Sequence, residues 1–218
     1  NKAGIDRFVW DFTEDAPTKW LGAARKKYQG PKTGPTVVPG TYTVRLTVAG
    51  KTMEQPLVVK PDPRFDWTQA QYQAGYDFAK KYSVVYGKID AALNNLDAIH
   101  TSLAADASAA KKNPALAARV AAAQKTWGGI FDAFTANYKN DEDSIQRGGS
   151  LRESVPRAGF GPQFPPTAAQ LDYAKRFDAA YSSAFANYNA YVTSLTSLNT
   201  ALKAAALKPI TGATPLSP

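Results

Sequence analysis

Thr41-Tyr42-Thr43-Val44-Arg45-Leu46-Thr47-Val48, then Asp62-Pro63-Arg64, then a chain that turns helical in pattern from Trp67 onward: this join decides the fold. Tyr42, Val44, Leu46 and Val48 fall on one face of the first stretch and Thr41, Thr43, Arg45 and Thr47 on the other, the period of a half-buried strand. Ala49-Gly50-Lys51 reads as a hairpin turn into Thr52–Lys60, where Leu57, Val58 and Val59 supply apolar contacts. Pro61 and Pro63 then end the ladder by removing donors. Upstream, Ile5–Phe12 also alternates, with Phe8, Trp10 and Phe12 on one side. Val38-Pro39-Gly40-Thr41 has the residues of a type II turn, and a short fourth strand is expected near Thr36–Val38. Between these strands lies a loop, Thr18 to Thr33, that carries Arg25-Lys26-Lys27. A module this small buries little apolar surface and is marginal on its own.

Downstream the apolar period changes to that of helices. Thr68 with Gln71 three residues on forms a capping-box arrangement. Tyr72, Gly75, Ala79, Tyr82, Tyr86, Ile89, Leu93, Leu96, His100 and Leu103 keep a heptad-like spacing, a seam for one long helix. Asn113-Pro114 pairs an N-cap with proline at the first helical position, and Leu116, Val120, Ala123, Trp127, Ile130 and Phe134 follow. Gly128-Gly129 weakens this second helix, and a close helix crossing there would explain the pair. Pro165-Pro166-Thr167 starts a third, with a stripe from Leu171 through Phe177, Tyr181, Phe185 and Tyr188 to Leu202, ended by Lys208-Pro209. The expected architecture is therefore α+β: an incomplete Ig-like β sandwich over residues 1–66, an antiparallel three-helix bundle over 67–208, and a C-terminal tail over 209–218.

Composition excludes several function classes. At 218 residues, 44% hydrophobic and 20% charged, the chain has material for real cores and too few charges for disorder. No apolar run approaches the ~18 residues of a membrane span. With no cysteine there are no disulfides or thiolate metal sites. The net charge of +8 divides evenly: residues 1–66 carry 11 Lys/Arg against 7 Asp/Glu, and the remainder 15 against 11. Nucleic-acid binders concentrate positive charge on one face, so this spread argues against that class. The opening Asn1-Lys2-Ala3-Gly4, directly before a strand pattern, reads as part of a longer or processed chain.

Catalytic motifs are missing. There is no Gly-x-Gly-x-x-Gly, P-loop, His-Glu-x-x-His or Gly-x-Ser-x-Gly, and no carboxylate pair is placed as a glycosidase acid and nucleophile. His100, the only histidine, sits in the helical seam and reads as structural. The tyrosines at helical spacing read as core packing with wet hydroxyls. Asn140-Asp141-Glu142-Asp143-Ser144 resembles half a calcium loop but lacks its turn glycine and its closing glutamate, so it reads as a solvated acidic turn. No catalytic residue, cofactor or metal site is assigned. The connection from Lys139 to Pro166 is the least ordinary segment, too long for a plain helix–helix link. Within it Arg147, Arg152, Arg157, Phe160 and Phe164 are the candidate partner-binding residues: the phenylalanines to anchor the segment, the arginines to present charge to an acidic partner.

The segments Gly4–Phe12, Gly34-Pro35, Val38–Val48, Gln55–Val59 and Asp62-Pro63-Arg64 together resemble the C-terminal region of large secreted bacterial proteins that carry BNR/Asp-box, sortilin-like β-propeller repeats. The resemblance covers residues 4–64 in order and spacing; over 65–208 only the helical character corresponds. It implies an Ig-like module similar to that of flagellar hook-capping proteins, followed by a helical segment. It also implies a secreted, periplasmic or cell-surface location. No Asp-box motif occurs in this sequence, so a glycosidase activity tied to the propeller would lie outside these residues. The expected function is thus a non-catalytic accessory region serving as spacer, docking or assembly module. Its expected partner is an upstream propeller or another protein chain, including a neighbouring copy. The alternatives are the C-terminal part of a glycan-processing enzyme and, on charge alone, a binder of anionic polymer.

Overall fold

A computed structural model of the chain describes residues 4, 7–23, 29–135, 150–156 and 164–218. It is α+β, with a two-stranded antiparallel sheet, β1 (Gly40–Val48) and β2 (Lys51–Val59), and three helices, α1 (Gln69–Ala109), α2 (Pro114–Thr135) and α3 (Ala168–Ala204). The chain clusters into two compact units interleaved in sequence. One takes residues 1–16, 32–83 and 157–167, the other 17–31, 84–156 and 168–218. A division at residue 66 does not coincide with these boundaries, because α1 contributes to both.

In the first unit the hairpin forms as the alternation predicts. Tyr42 lies opposite Leu57, Leu46 opposite Met53 and Val48 opposite Lys51. Ala49 (φ 49°) and Gly50 (φ 78°) both take positive φ, the backbone of a type I′ turn whose twist matches that of paired strands. Gly40 opens β1 in extended backbone, so the expected type II turn is not formed.

The expected strand over Ile5–Phe12 is also corrected. Its described residues, Arg7–Phe12, form no ladder, and pairing shrinks to one bridge between Thr13 and Thr36. The reason is local. Trp10 turns back to donate its indole N–H to the Thr13 carbonyl at 2.9 Å, and Phe12 adopts φ 61°, which ends extended backbone. The entry to α1 follows the capping box. The Thr68 amide donates to Gln71 Oε1 (2.9 Å) and the Gln71 amide donates to Thr68 Oγ1 (3.3 Å). Trp67 packs edge-on against Tyr72, a staple across the cap.

In the second unit most residues of the predicted stripes are buried, although Leu171, expected to open the third stripe, is half exposed. Ile89, Leu93, Leu96 and Leu103 of α1, Val120 and Phe134 of α2, and Phe185, Tyr188, Leu195 and Leu202 of α3 are fully buried. The α1 stripe shifts by one residue near its end. Ile99 is buried, and His100 instead faces out and stacks on Trp127, with ring centroids 4.2 Å apart. Polar side chains fasten the helices to one another. Trp127 Nε1 donates to the Leu96 carbonyl at 2.8 Å, Tyr191 Oη to the Ala123 carbonyl at 3.1 Å, and Asn95 Nδ2 to Tyr188 Oη at 2.9 Å.

Asn113 caps α2 through the Leu116 amide (3.2 Å), with Pro114 first in the helix. The close crossing expected at Gly128-Gly129 is absent among the described residues: a Cβ at either position would meet none of their atoms within 4 Å. α3 stops at Ala204, before Lys208-Pro209. Ala206 (φ 57°) takes the left-handed cap position, and the Leu207 amide reaches back to the Leu202 carbonyl at 2.9 Å.

The residues after 208, read as a tail, pack on the helices. Ile210 is buried with its amide on Asn199 Oδ1 (2.7 Å), and Leu216 exchanges two hydrogen bonds of 2.9 Å with the Asn189 side chain.

Candidate functional site

β-hairpins present two faces, and here the turn-side part of the apolar one is uncovered. Tyr42, Val44, Leu46 and Val48 of β1 share it with Leu57 and Met53 of β2. Val44, Leu46, Val48 and Met53 are each more than half exposed. The opposite face is crossed by an Arg45–Glu54 ion pair and a Thr47–Thr52 contact and carries Pro56 and the exposed Val58 at its other end. Among the described residues neither strand has a second neighbour, so both outer edges offer unpaired backbone groups. A two-stranded ribbon with one apolar side and two open edges can accept a further strand or an apolar surface.

In the same unit, Phe65 and Trp67 stack at 4.7 Å, and Phe164 packs edge-on against both, at 5.7 and 4.9 Å. Phe164 remains half exposed. Phe160, Arg147, Arg157 and the acidic stretch 140–144 lie outside the described residues.

Arg152 is corrected. The sequence reading turns it outward to a partner, whereas the structure buries it with 4% exposure. Its Nε and Nη2 donate to the two carboxylate oxygens of Asp90, which is itself fully buried, at 2.5 and 3.1 Å. The guanidinium lies over the rings of Tyr86 (4.9 Å) and Trp20 (5.4 Å). Backbone geometry places it there. The amides of Leu151 and Arg152 donate to the Ala133 and Phe134 carbonyls, so residues 150–152 close the C-terminal end of α2.

Asp90 belongs to a polar stripe on α1 with Asn94 and Asp97, which the apolar seam concealed. Asp90 accepts the Trp20 amide at 3.0 Å, Asn94 the Leu21 amide at 2.8 Å, and Asp97 the Trp20 indole N–H at 2.6 Å. These bonds pin residues 19–21 along the helix. Burial pushes the Asp90 carboxyl up against the pull of Arg152 and of the Trp20 amide. It pushes Asp97 up against the Trp20 indole and the neighbouring His100 charge.

This knot is a fastening: every charged group in it is engaged by another protein group, leaving none free for a substrate. His100 hydrogen-bonds no nucleophile or carboxylate among the described residues. Those residues contain no group of three or more His, Cys, Asp or Glu arranged to hold a metal, and no helix long and apolar enough to cross a membrane.

Comparison with family models, with curated proteins and with solved structures found no match to this chain.

Proposed function

We propose that the chain is a non-catalytic accessory and interaction region of a secreted, propeller-bearing protein. In this reading the β unit is an Ig-like module that docks or spaces, and the three helices form a bundle that packs or assembles. One observation carries it: the hairpin's apolar face stands in solvent beside two open edges. Four half-exposed aliphatic side chains in one contiguous strip are a liability in isolation and an asset once a partner covers them. Strands or an apolar surface supplied by the propeller or by another chain would complete the sheet.

Amide exchange tests the idea. In the chain alone, residues 41–59 should exchange orders of magnitude faster than the core of α3, since an isolated two-stranded hairpin is marginal in water. In the parent protein the same amides should become protected. Leu46→Lys with Met53→Lys, directly opposite in register, should abolish that gain and leave the helical circular dichroism unchanged. A hairpin protected as strongly as α3 in the chain alone would refute the docking role, as would protection in the parent that survives the two lysines.

A further inference from the structure

The first unit also holds a cleft of about 490 Å³, within the small-ligand range of ~300–1,000 Å³. Its apolar lining is Trp10, Val37 and Tyr42, and its polar lining is Thr13, Glu14, Asp15 and Lys80. The loop that builds it is strained and tightly fastened. Phe12 takes a left-handed backbone, rare for a bulky residue. Asp11 accepts both the amide and the hydroxyl of Thr13, at 3.1 and 2.5 Å. The Glu14 backbone bonds Pro35 and Gly34 at 2.9 and 2.8 Å, and a Cβ on Gly34 would lie 2.4 Å from the Asp15 carbonyl oxygen. Trp10 is thereby held edge-on between Phe12 (5.3 Å) and Tyr42 (5.5 Å).

The Glu14 carboxylate is clasped by Tyr76 Oη and Lys80 Nζ. Burial raises its pKa, but the two donors outweigh burial and hold it below the ordinary value; in turn the Glu14 hydrogen bond drives Tyr76 up to about 12. Glu14 therefore stays an acceptor and Tyr76 a donor across the physiological range.

The mixture of charges selects the ligand. Glu14 and Lys80 are paired with each other, so neither is free to draw in a lone ion, and Asp15 is left as the one charged lining group not engaged by the other two. A purely apolar guest would strip water from all three without replacing its hydrogen bonds. Hydroxyl groups both donate and accept, so they satisfy carboxylate and ammonium together, while aromatic walls suit the C–H face of a saturated ring. We propose that this cleft binds a neutral, hydroxyl-rich ring: one sugar unit of a glycan. Trp10 and Tyr42 contact its C–H face, and Asp15, Thr13 and Lys80 bond its hydroxyls. Tyr42 also borders the hairpin's apolar face, but the rest of the lining lies outside the hairpin, so the cleft can be tested apart from the docking role.

The test is ¹⁵N–¹H spectroscopy of the intact chain titrated with methyl β-D-glucoside, methyl β-D-galactoside and methyl α-D-mannoside. Glucosamine and glucuronic acid serve as the charged counterparts of the same ring. At least one neutral glycoside should shift the Trp10 indole and the Thr13–Asp15 amides saturably. A Kd on the order of 1 mM is expected for a ligand of this size. Asp15→Asn, at an exposed side chain, should weaken binding about tenfold with an unchanged melting curve. Trp10→Ala should abolish it. If Trp10→Ala fails to fold, Asp15→Asn alone decides. The proposal is overturned by no saturable shift with any neutral glycoside, by preference for glucosamine or glucuronic acid, or by Asp15→Asn binding as the wild type does.

Discussion

Replacing Arg152 by methionine removes the guanidinium from the buried knot of the second unit while keeping most of its volume. The change deletes two charge-assisted hydrogen bonds to Asp90, at 2.5 and 3.1 Å, and the cation–ring contacts with Tyr86 and Trp20. Asp90 is left fully buried with the Trp20 amide at 3.0 Å. Breaking such a pair on one side costs ~3–5 kcal/mol, because the surviving charge is uncompensated.

The cost should depend on pH, and the sign follows from linkage. Burial already pushes the Asp90 carboxyl up, and losing Arg152 removes its main opposing force. The folded variant therefore holds a proton more tightly than the unfolded chain. Its stability should rise as pH falls through that raised value, at up to ~1.4 kcal/mol per unit, and level off near the unfolded value of ~3.9.

Urea unfolding followed by helical circular dichroism at pH 8 and pH 5 measures both effects. Arg152→Met should lower the midpoint strongly at pH 8 and less at pH 5. Asp90→Leu combined with Arg152→Met should recover most of the loss, since an apolar pair of similar size often matches a buried ion pair. A single variant costing under about 1 kcal/mol, or a double variant no better than the single, would refute the reasoning that the pair is a buried fastening.

Two further substitutions follow from the same geometry. Gly128→Ala and Gly129→Ala lie inside α2 with open space where a Cβ would go, so each should stabilise by ~1 kcal/mol and raise the melting temperature by ~2–4 °C; a loss of stability would mean that the helices approach there after all. Asp106 is buried on α1 with Oδ2 accepting no hydrogen bond among the described residues, and burial raises its pKa. Asp106→Ala should therefore stabilise by ~1 kcal/mol at pH 7 and remove the part of the stability that grows as pH falls toward ~4, and urea midpoints at the two pH values check both effects.

Helix boundaries were the most legible part of this chain because their signals are local. Thr68 with Gln71 and Asn113 with Pro114 specify their own hydrogen bonds within a few residues, and both caps form as read. The α3 stripe was equally plain, since Phe177, Tyr181, Phe185 and Tyr188 can be buried together only on a helix. The strand over Ile5–Phe12 failed for the converse reason. Alternation states which face a residue would take if the backbone were extended, but a strand exists only where a partner offers a ladder. Here Trp10 finds its acceptor three residues on, at Thr13, and the local bond wins.

Arg152 and the polar stripe were illegible for a different reason. Seam reading counts apolar residues, so Asp90, Asn94 and Asp97 fall out as solvent-facing by default. At spacings of four and three they make a second stripe, and its bonding groups come from about 70 residues upstream: the amides of Trp20 and Leu21 and the Trp20 indole. A buried carboxylate needs donors, and Arg152, in the connection after α2, supplies two of them. Residues 151 and 152 bond the last carbonyls of α2 with their amides while the Arg152 guanidinium reaches Asp90. Charge in a connecting segment therefore indicates a partner only after the buried groups of the same fold have been supplied. In this chain Asp90 has the first claim on Arg152.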